Sequence, residues 1–199
     1  MRERGRLDWW LGVILAGRCL FVPDAFAAEI VIYGFEGTLR GWAIPDWAKS
    51  STDYGGASLS ISDAVAAEGH SALEIRAILS GERWSGAYVE REVEVTDWTP
   101  FGRLSVDVYL PPQAPEGLAG KIILTLGDQW QWTEMNRSIP LVPGEWMRIA
   151  VSLKPGSMDW KTFPDDEFRK NVRKIGVRIE SNKTAYTGSM FLDNMLLGE

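Results

Sequence analysis

Residues 104–110 read Leu-Ser-Val-Asp-Val-Tyr-Leu, and their strict alternation decides the fold class of this chain. Apolar residues fill the even-numbered positions, whereas Ser105, Asp107 and Tyr109 fill the odd-numbered ones. A period of two places alternate side chains on opposite faces of an extended chain, and it is the signature of a half-buried antiparallel strand. The segment therefore predicts a strand with one face on a hydrophobic core.

The same pattern extends outward from this segment in both directions. Alternating or β-branched runs occupy residues 29–35, 57–62, 72–79, 88–95, 121–126, 146–153, 174–180 and 190–197. Chain-reversal dipeptides such as Pro-Gly at 143–144 and 155–156 separate them, and only residues 165–171 have a helical pattern. About nine to ten short strands with frequent turns predict an all-β fold, a jelly-roll β-sandwich of two antiparallel sheets.

Composition narrows the classes of function. The 199 residues include 10 Trp but a single His and a single Cys, and the formal net charge is -6. A net negative chain does not favour a nucleic-acid partner, whose phosphates require basic surfaces. His70 is the one histidine, so a Ser-His-Asp triad and His-rich metal sites are not expected, and no phosphate-binding loop or dinucleotide motif is present.

The first residues resemble an export signal. Three arginines precede an apolar run over residues 9–17, and Ala25-Phe26-Ala27 offers small residues at the two positions that a signal peptidase recognises. The apolar run is too short to span a bilayer, which needs about 20 residues. We expect residues 1–27 to be a signal peptide that carries Cys19 away, and residues 28–199 to form one secreted or periplasmic domain.

Side chains opposite the predicted core combine aromatic rings with charged groups. Trp130 and Trp132 lie two residues apart, so in a strand their rings share a face that Glu134 continues. A pyranose stacks its C–H face on such rings, while its hydroxyls bond to charged and amide groups. Alternatively, Asp107 and Arg178 pair across neighbouring strands. The predicted carbohydrate-binding residues are Trp84, Tyr88, Asp107, Tyr109, Trp130, Trp132 and Arg178.

The remaining tryptophans are expected to have other roles. Trp146 opens a strand after a Pro-Gly-Glu turn and is predicted to lie in the core, and Trp98 is predicted to pack at a strand-end corner. Trp42 and Trp47 lie in a loop, where they could close the edge of the sandwich or flank a binding groove.

Several motifs, in the same order along the chain, resemble β-sandwich carbohydrate-binding modules of glycanases. They are Tyr-Gly-Phe-Glu-Gly at 33–37, Glu-Gly-His-Ser-Ala-Leu at 68–73, Pro-Gly-Glu-Trp at 143–146, Lys-Ile-Gly-Val-Arg at 174–178 and Phe-Leu-Asp-Asn at 191–194. The chain is most similar to family 11 modules, with relatives in families 4, 22 and 27. The resemblance implies a galactose-binding-domain-like jelly roll that binds a β-glucan, mannan or xylan on its concave sheet.

The resemblance also implies a structural calcium ion at the edge of the sheet. The ligands carried over are Glu36, a main-chain oxygen near His70, and Asp193, and calcium prefers such oxygen ligands. We expect a freestanding module without a catalytic domain beside it, which presents a glycan to secreted glycanases or tethers to a cell surface, and we expect it to be a monomer. If Glu36 and Asp193 instead cap turns or pair with basic groups, no metal is required.

Two other classes of function stay open from the residues alone. A jelly-roll glycoside hydrolase or lyase needs two carboxylates about 5 to 10 Å apart, and Glu90, Asp107, Glu134 and Glu180 are candidates. A structural module that binds protein would also use exposed Trp and Tyr. The leading hypothesis is a non-catalytic, secreted module that binds a polysaccharide.

Overall fold

A computed structural model describes residues 29–162 and 164–199 of the chain. The predicted signal peptide and its cleavage point lie outside these residues. In the described part, no helix is long and apolar enough to cross a membrane. The elements are β1 (Ile30–Tyr33), α1 (Asp46–Lys49), β2 (Gly56–Ser62), β3 (Ala72–Leu79), β4 (Ser85–Glu92), β5 (Arg103–Tyr109), β6 (Leu118–Leu126), β7 (Gln131–Glu134), β8 (Ile139–Pro140), β9 (Trp146–Ser152), α2 (Asp166–Lys170), β10 (Val172–Ser181) and β11 (Tyr186–Gly198).

The strands form two antiparallel sheets, which confirms the predicted fold class. The back sheet has the order β2-β3-β11-β5-β9, and β1 pairs with the end of the long β11. The front sheet has the order β4-β10-β6-β7, and β8 pairs with β6 beyond the end of β7. Sequence neighbours β3 and β4 therefore belong to opposite sheets, as expected for a sandwich with crossing connections.

The core between the sheets is built from the alternating apolar residues. Leu104, Val106 and Val108 of the back sheet are fully buried, as are Ile122 and Val177 of the front sheet. All five belong to one cluster. Truncating a buried aliphatic side chain of this kind to alanine typically costs about 2–5 kcal/mol, so this cluster provides much of the stability of the fold.

The two sheets approach closely at Gly120 of β6. A Cβ at this position would come within 2.5 Å of Ile149 Cδ1 on β9 of the back sheet. A methyl group at residue 120 would therefore require the end of the Ile149 side chain to move.

Three local predictions have clear outcomes. The helical pattern at 165–171 becomes α2, whose first turn is capped by Asp165 accepting a hydrogen bond from the Phe168 N–H. Trp98 is buried, as predicted. The core prediction for Trp146 is wrong, because this ring is half-buried on the outer side of the back sheet beside Tyr109. The short helix α1 was not predicted.

Candidate functional site

The outer face of the front sheet carries rows of charged and aromatic side chains. One row across its four strands consists of Glu92, Lys174, Thr125 and Trp132, which are direct register partners. The next row consists of Glu90, Gly176, Ile123 and Glu134, and the row after it begins with Tyr88, Arg178 and Lys121. Strand register alone therefore brings three acidic side chains, three basic side chains and two aromatic rings to one face.

Tyr88 lies flat on this face because its neighbour is a glycine. A Cβ on Gly176 would lie 2.4 Å from the Tyr88 hydroxyl oxygen, so only glycine leaves room for the ring. Tyr88 is only 1% exposed. Ile123 of the same face is also fully buried and does not belong to the core between the sheets. The front face is therefore itself covered by a layer of side chains.

Five aromatic rings make up this layer. Trp47 on α1 contacts Tyr88 and Trp132 with ring centroids 5.2 and 5.9 Å apart, and Tyr88 and Trp132 are 5.2 Å apart. Tyr54 joins Trp47 at 5.1 Å and Trp84 at 5.6 Å. Edge-to-face contacts at these distances are favourable for aromatic pairs, so the rings hold one another in place.

An open cleft of about 480 Å³ lies beside this ring layer. Trp47, Tyr54, Trp130 and Trp132 form its apolar walls. Glu90, Thr125 and Lys174 supply its polar groups. Trp47, Trp130 and Trp132 are 43, 53 and 39% exposed, which is unusual for such large apolar side chains. An apolar cleft with a few placed polar groups is the ordinary form of a ligand site.

Trp130 is the last residue of the hairpin loop between β6 and β7, and its backbone conformation is unusual. Trp130 has a φ of 55°, which bulky residues rarely adopt. Its N–H donates to the Gly127 carbonyl across the turn before β7. A half-exposed tryptophan in a left-handed conformation adds no core packing that would compensate for the strain. The Trp130 ring is therefore displayed at the cleft rather than packed in the core.

The charged groups of the front face form a closed network around Arg178. Arg178 Nη2 lies 2.8 Å from Glu134 Oε2, and its Nε lies 2.7 Å from Glu180 Oε2. Lys121 and Lys161 also pair with Glu134. Burial by itself raises the pKa of Glu134, but the hydrogen bond from Lys161 and the charges of Arg178 and Lys121 leave this pKa below its ordinary value.

A second ion pair stands at the mouth of the cleft. Lys174 Nζ lies 2.7 Å from Glu90 Oε1, and the Tyr88 hydroxyl donates to Glu90 Oε2 at 2.9 Å. Burial, followed by the charge of Glu90, strongly raises the pKa of Tyr88, so the phenol stays protonated and keeps donating. Lys174 Nζ also lies 5.3 Å from the Trp130 ring centroid, within cation–π range.

The structure brings five of the seven predicted carbohydrate-binding residues together and separates two from them. Trp84, Tyr88, Trp130, Trp132 and Arg178 share the front face. Asp107 and Tyr109 lie on β5, so they belong to the opposite, outer face of the back sheet. Trp47 and Tyr54 belong to the front site as well. The sequence left two roles open for Trp47, and Tyr54 was not among the predicted binding residues.

Asp107 is held in a separate network on the back sheet. Its two carboxylate oxygens accept a bidentate pair of bonds from Arg148 at 2.8 Å each, and Asn194 donates to one of them. The suggested pairing of Asp107 with Arg178 is therefore wrong. Tyr109 stacks beside Trp146 and Phe191 in a direct row across β9, β5 and β11.

The four candidate catalytic carboxylates do not form a free pair. Asp107 is on the other sheet, and Glu90, Glu134 and Glu180 each contact at least one basic side chain. A glycosidase acid needs a raised pKa, which comes from burial without a basic partner. The depressed pKa of Glu134 is the opposite of what such an acid requires.

The predicted calcium ligands converge on the loop before β3. Glu36 Oε1 accepts from the His70 and Ser71 N–H groups. Asp193 is fully buried, and its Oδ2 accepts from the N–H groups of residues 67 and 68. Within residues 29–162 and 164–199, neither carboxylate has a basic partner.

The pKa of Asp193 is raised above its ordinary value. Burial raises the pKa of Asp193, three main-chain N–H groups lower it, and the negative charge of Glu36 raises it again. The described residues contain no group of three or more His, Cys, Asp or Glu side chains that could hold a metal. An ion between Glu36 and Asp193 would therefore need main-chain oxygens as its other ligands, which calcium accepts.

Comparison of the sequence with known protein families finds no match, and comparison with curated proteins finds none either. Solved structures do match the fold. One, from work on the promiscuous specificity of carbohydrate-binding modules of the β-sandwich superfamily, is 14% identical with a TM-score of 0.59. The match covers 87% of this chain but only 64% of that one.

Two further matches cover nearly the whole of the other protein. A family 28 module specific for non-crystalline cellulose is 17% identical with a TM-score of 0.61, over 85% of this chain and 94% of that one. A family 27 module of Caldicellulosiruptor saccharolyticus, solved with mannohexaose, is 16% identical with a TM-score of 0.61, over 86 and 97%. Modules of families 11 and 22 also match. The resemblance seen in the sequence is thereby confirmed for the fold.

Proposed function

We propose that this chain is an exported, non-catalytic module that binds a neutral polysaccharide chain at the cleft of the front sheet. The observation that carries the proposal is the set of three exposed tryptophans, Trp47, Trp130 and Trp132, around a 480 Å³ cleft that also presents Glu90 and Lys174. The stacking surface for a sugar ring and the hydrogen-bonding groups for its hydroxyls are in one place.

Charge compensation supports both a neutral ligand and the absence of catalysis. Lys174 is paired with Glu90, and Arg178 is paired with Glu134 and Glu180, so the face offers an anionic sugar no unpaired cation from these two groups. The same ion pairs engage all three carboxylates, and those of Glu134 leave its pKa below the ordinary value. An ionised, paired carboxylate is a poor general acid, which disfavours the glycosidase alternative.

The proposal is tested by affinity electrophoresis of the full chain through gels containing soluble cellulose derivatives, mixed-linkage β-glucan, mannan or xylan. We expect at least one polysaccharide to retard the wild type and the Trp130→Ala/Trp132→Ala double variant to migrate freely. Trp146→Ala is the matched control, since it removes a tryptophan from the outer face of the other sheet. Retardation by none of the gels, with a cooperative thermal transition, would refute the proposal.

The same gels separate this function from its alternatives. Release of reducing sugar, abolished by a carboxylate substitution, would establish an enzyme. Loss of retardation in Trp146→Ala, with retention in the double variant, would move the site to the back sheet. Export is tested separately by N-terminal sequencing of secreted protein, which we expect to begin near residue 28.

We also propose that calcium binds between Glu36 and Asp193. An ion that binds only the folded state stabilises it in proportion to the logarithm of its concentration. We expect millimolar calcium to raise the melting temperature of the wild type and a chelator to lower it, whereas Glu36→Gln should not respond. Glu82→Gln, at an exposed position, is the control. Equal melting temperatures with calcium and with the chelator would contradict the calcium site.

A further inference from the structure

The Glu90–Lys174 pair borders two clefts. Besides the aromatic cleft, both residues line a second cavity of about 350 Å³, whose other wall is formed by Gly41, Ala43 and Pro45. This second cavity also includes Glu92, the register partner of Lys174 at the edge strand β4. The two cavities are therefore neighbours along one line, with the ion pair between them.

This line runs across the sheet rather than along a strand. Glu92, Lys174, Thr125 and Trp132 are successive register partners on β4, β10, β6 and β7. Glu92 lines the second cavity, whereas Thr125 and Trp132 line the aromatic cleft. The row thus joins a polar groove at one edge of the sheet to an aromatic groove at the other.

The Glu90–Lys174 pair has hydrogen-bonding groups left for a ligand, whereas the network around Arg178 is covered. Lys174 Nζ has three protons, of which Glu90 takes one, and its side chain is 25% exposed. Each Glu90 oxygen accepts one protein hydrogen bond and keeps a free lone pair. Arg178 is only 8% exposed, lies between two carboxylates and is covered by the Trp84 ring at 5.2 Å.

We propose that the polysaccharide crosses the front sheet along this row, with Lys174 and Glu90 bonding to the hydroxyls of a central sugar. Sugars on one side stack against Trp130 and Trp132, and sugars on the other side enter the groove beside Ala43. Trp84 belongs to the ring layer and covers Arg178, and neither side chain contacts the ligand. This inference rests on the proposed function and states which residues select the ligand and how long the site is.

The first test is isothermal titration of the full chain with cellohexaose, mannohexaose, xylohexaose and a mixed-linkage β-glucan tetrasaccharide. For the sugar that the wild type binds, Lys174→Met should lose about 10- to 100-fold in affinity, as expected when a charged hydrogen-bonding group is removed. Lys174→Arg should recover part of this loss. Lys161→Met is the matched control, because this exposed lysine pairs with Glu134 and lines neither cavity.

The second test measures the length of the site without touching the ion pair. Ala43 is exposed, so Ala43→Trp fills the second groove without disturbing the core. We expect this variant to bind di- and trisaccharides like the wild type but to lose the additional affinity of the hexasaccharide. Unchanged hexasaccharide affinity in both Lys174→Met and Ala43→Trp would overturn the inference and leave the proposed function intact. Absence of binding by the wild type would overturn the proposed function itself.

Discussion

The outer faces of the two sheets both carry aromatic and charged side chains but differ in which segments supply the aromatic rings. On the back sheet, Phe191, Tyr109 and Trp146 are direct register partners on neighbouring strands, so their rings lie side by side on the sheet. On the front sheet, Trp47 comes from α1 and Trp130 from a turn, so these rings stand at the rim of the sheet. The second arrangement lines an open aromatic cleft.

The comparison shows that a binding face is made by the segments around a sheet as much as by the strands themselves. Strand alternation supplies rings to both faces. At the front face, a helix and a turn add walls to those rings and so form the cleft.

The largest difference in stability is expected between Arg178 on the front sheet and Arg148 on the back sheet. Arg178→Met should lower the free energy of unfolding by about 3–5 kcal/mol, because it removes the shared partner of the buried Glu134 and the partly buried Glu180. Arg148→Met on the back sheet should cost about 1 kcal/mol, since its side chain is 44% exposed. Urea unfolding measures both. Equal losses would show that the front network has no special structural role.

The pH dependence of stability should identify Glu134 as part of the front network. Because its pKa in the folded state lies below the ordinary value of 4.5, its contribution is present above pH 4.5 and is lost as the pH falls through the folded-state pKa. Glu134→Gln should therefore cost about 1.5–3 kcal/mol at pH 7 and progressively less below pH 4.5. Urea unfolding from pH 3 to 7 tests this, and Glu82→Gln should show no such convergence. A pH-independent cost would contradict the lowered pKa.

The position of Tyr88 should depend on its glycine neighbour. Gly176→Ala places a methyl group 2.4 Å from the Tyr88 hydroxyl oxygen, so the ring must move, at a cost of about 1–3 kcal/mol. Gly34→Ala is the control, because its new methyl group would meet Val31 at an ordinary 3.6 Å. Thermal melting compares the two. If Gly176→Ala melts with the wild type, the ring layer is not packed as described.

The smallest effect on stability, and the most informative about function, is expected at Trp130. Trp130→Gly relieves a φ of 55°, so stability should stay the same or rise by up to about 1 kcal/mol while polysaccharide binding falls. Trp132→Gly lies within β7 and should lose both stability and binding. Melting temperature and gel retardation are measured for both variants. Loss of binding without loss of stability in Trp130→Gly alone would show that the strained conformation serves binding rather than packing.

Most of the fold could be predicted from the sequence because alternation is a local property. It determined the core side of β5, where all even-numbered residues are buried, and it showed that Trp132 and Glu134 share a face. In the sequence of β6, Ile123 is apolar at an odd-numbered position and so breaks the alternation. The cause of this break, a second layer of side chains on the front face, depends on contacts between distant segments.

The site could be predicted only in part, for a related reason. Alternation shows that Asp107 and Tyr109 point away from the core but does not show to which of two sheets their strand belongs. Trp146 was predicted in the core because it follows a Pro-Gly-Glu turn, although its even-numbered position puts it on the face opposite Ile149, where it lies beside Tyr109. Trp47 lies in a four-residue helix, which is too short to produce a periodic signal.

The central claim is that the ligand lies on the front face, and the indole N–H signals of the tryptophans report this directly. We would record two-dimensional ¹H–¹⁵N NMR spectra of the chain during titration with the oligosaccharide it binds, with signals assigned by single Trp→Phe variants. We expect the indole N–H signals of Trp47, Trp130 and Trp132 to shift and that of Trp146 to stay unchanged. A shift of Trp146 with unchanged front-face signals would contradict the central claim.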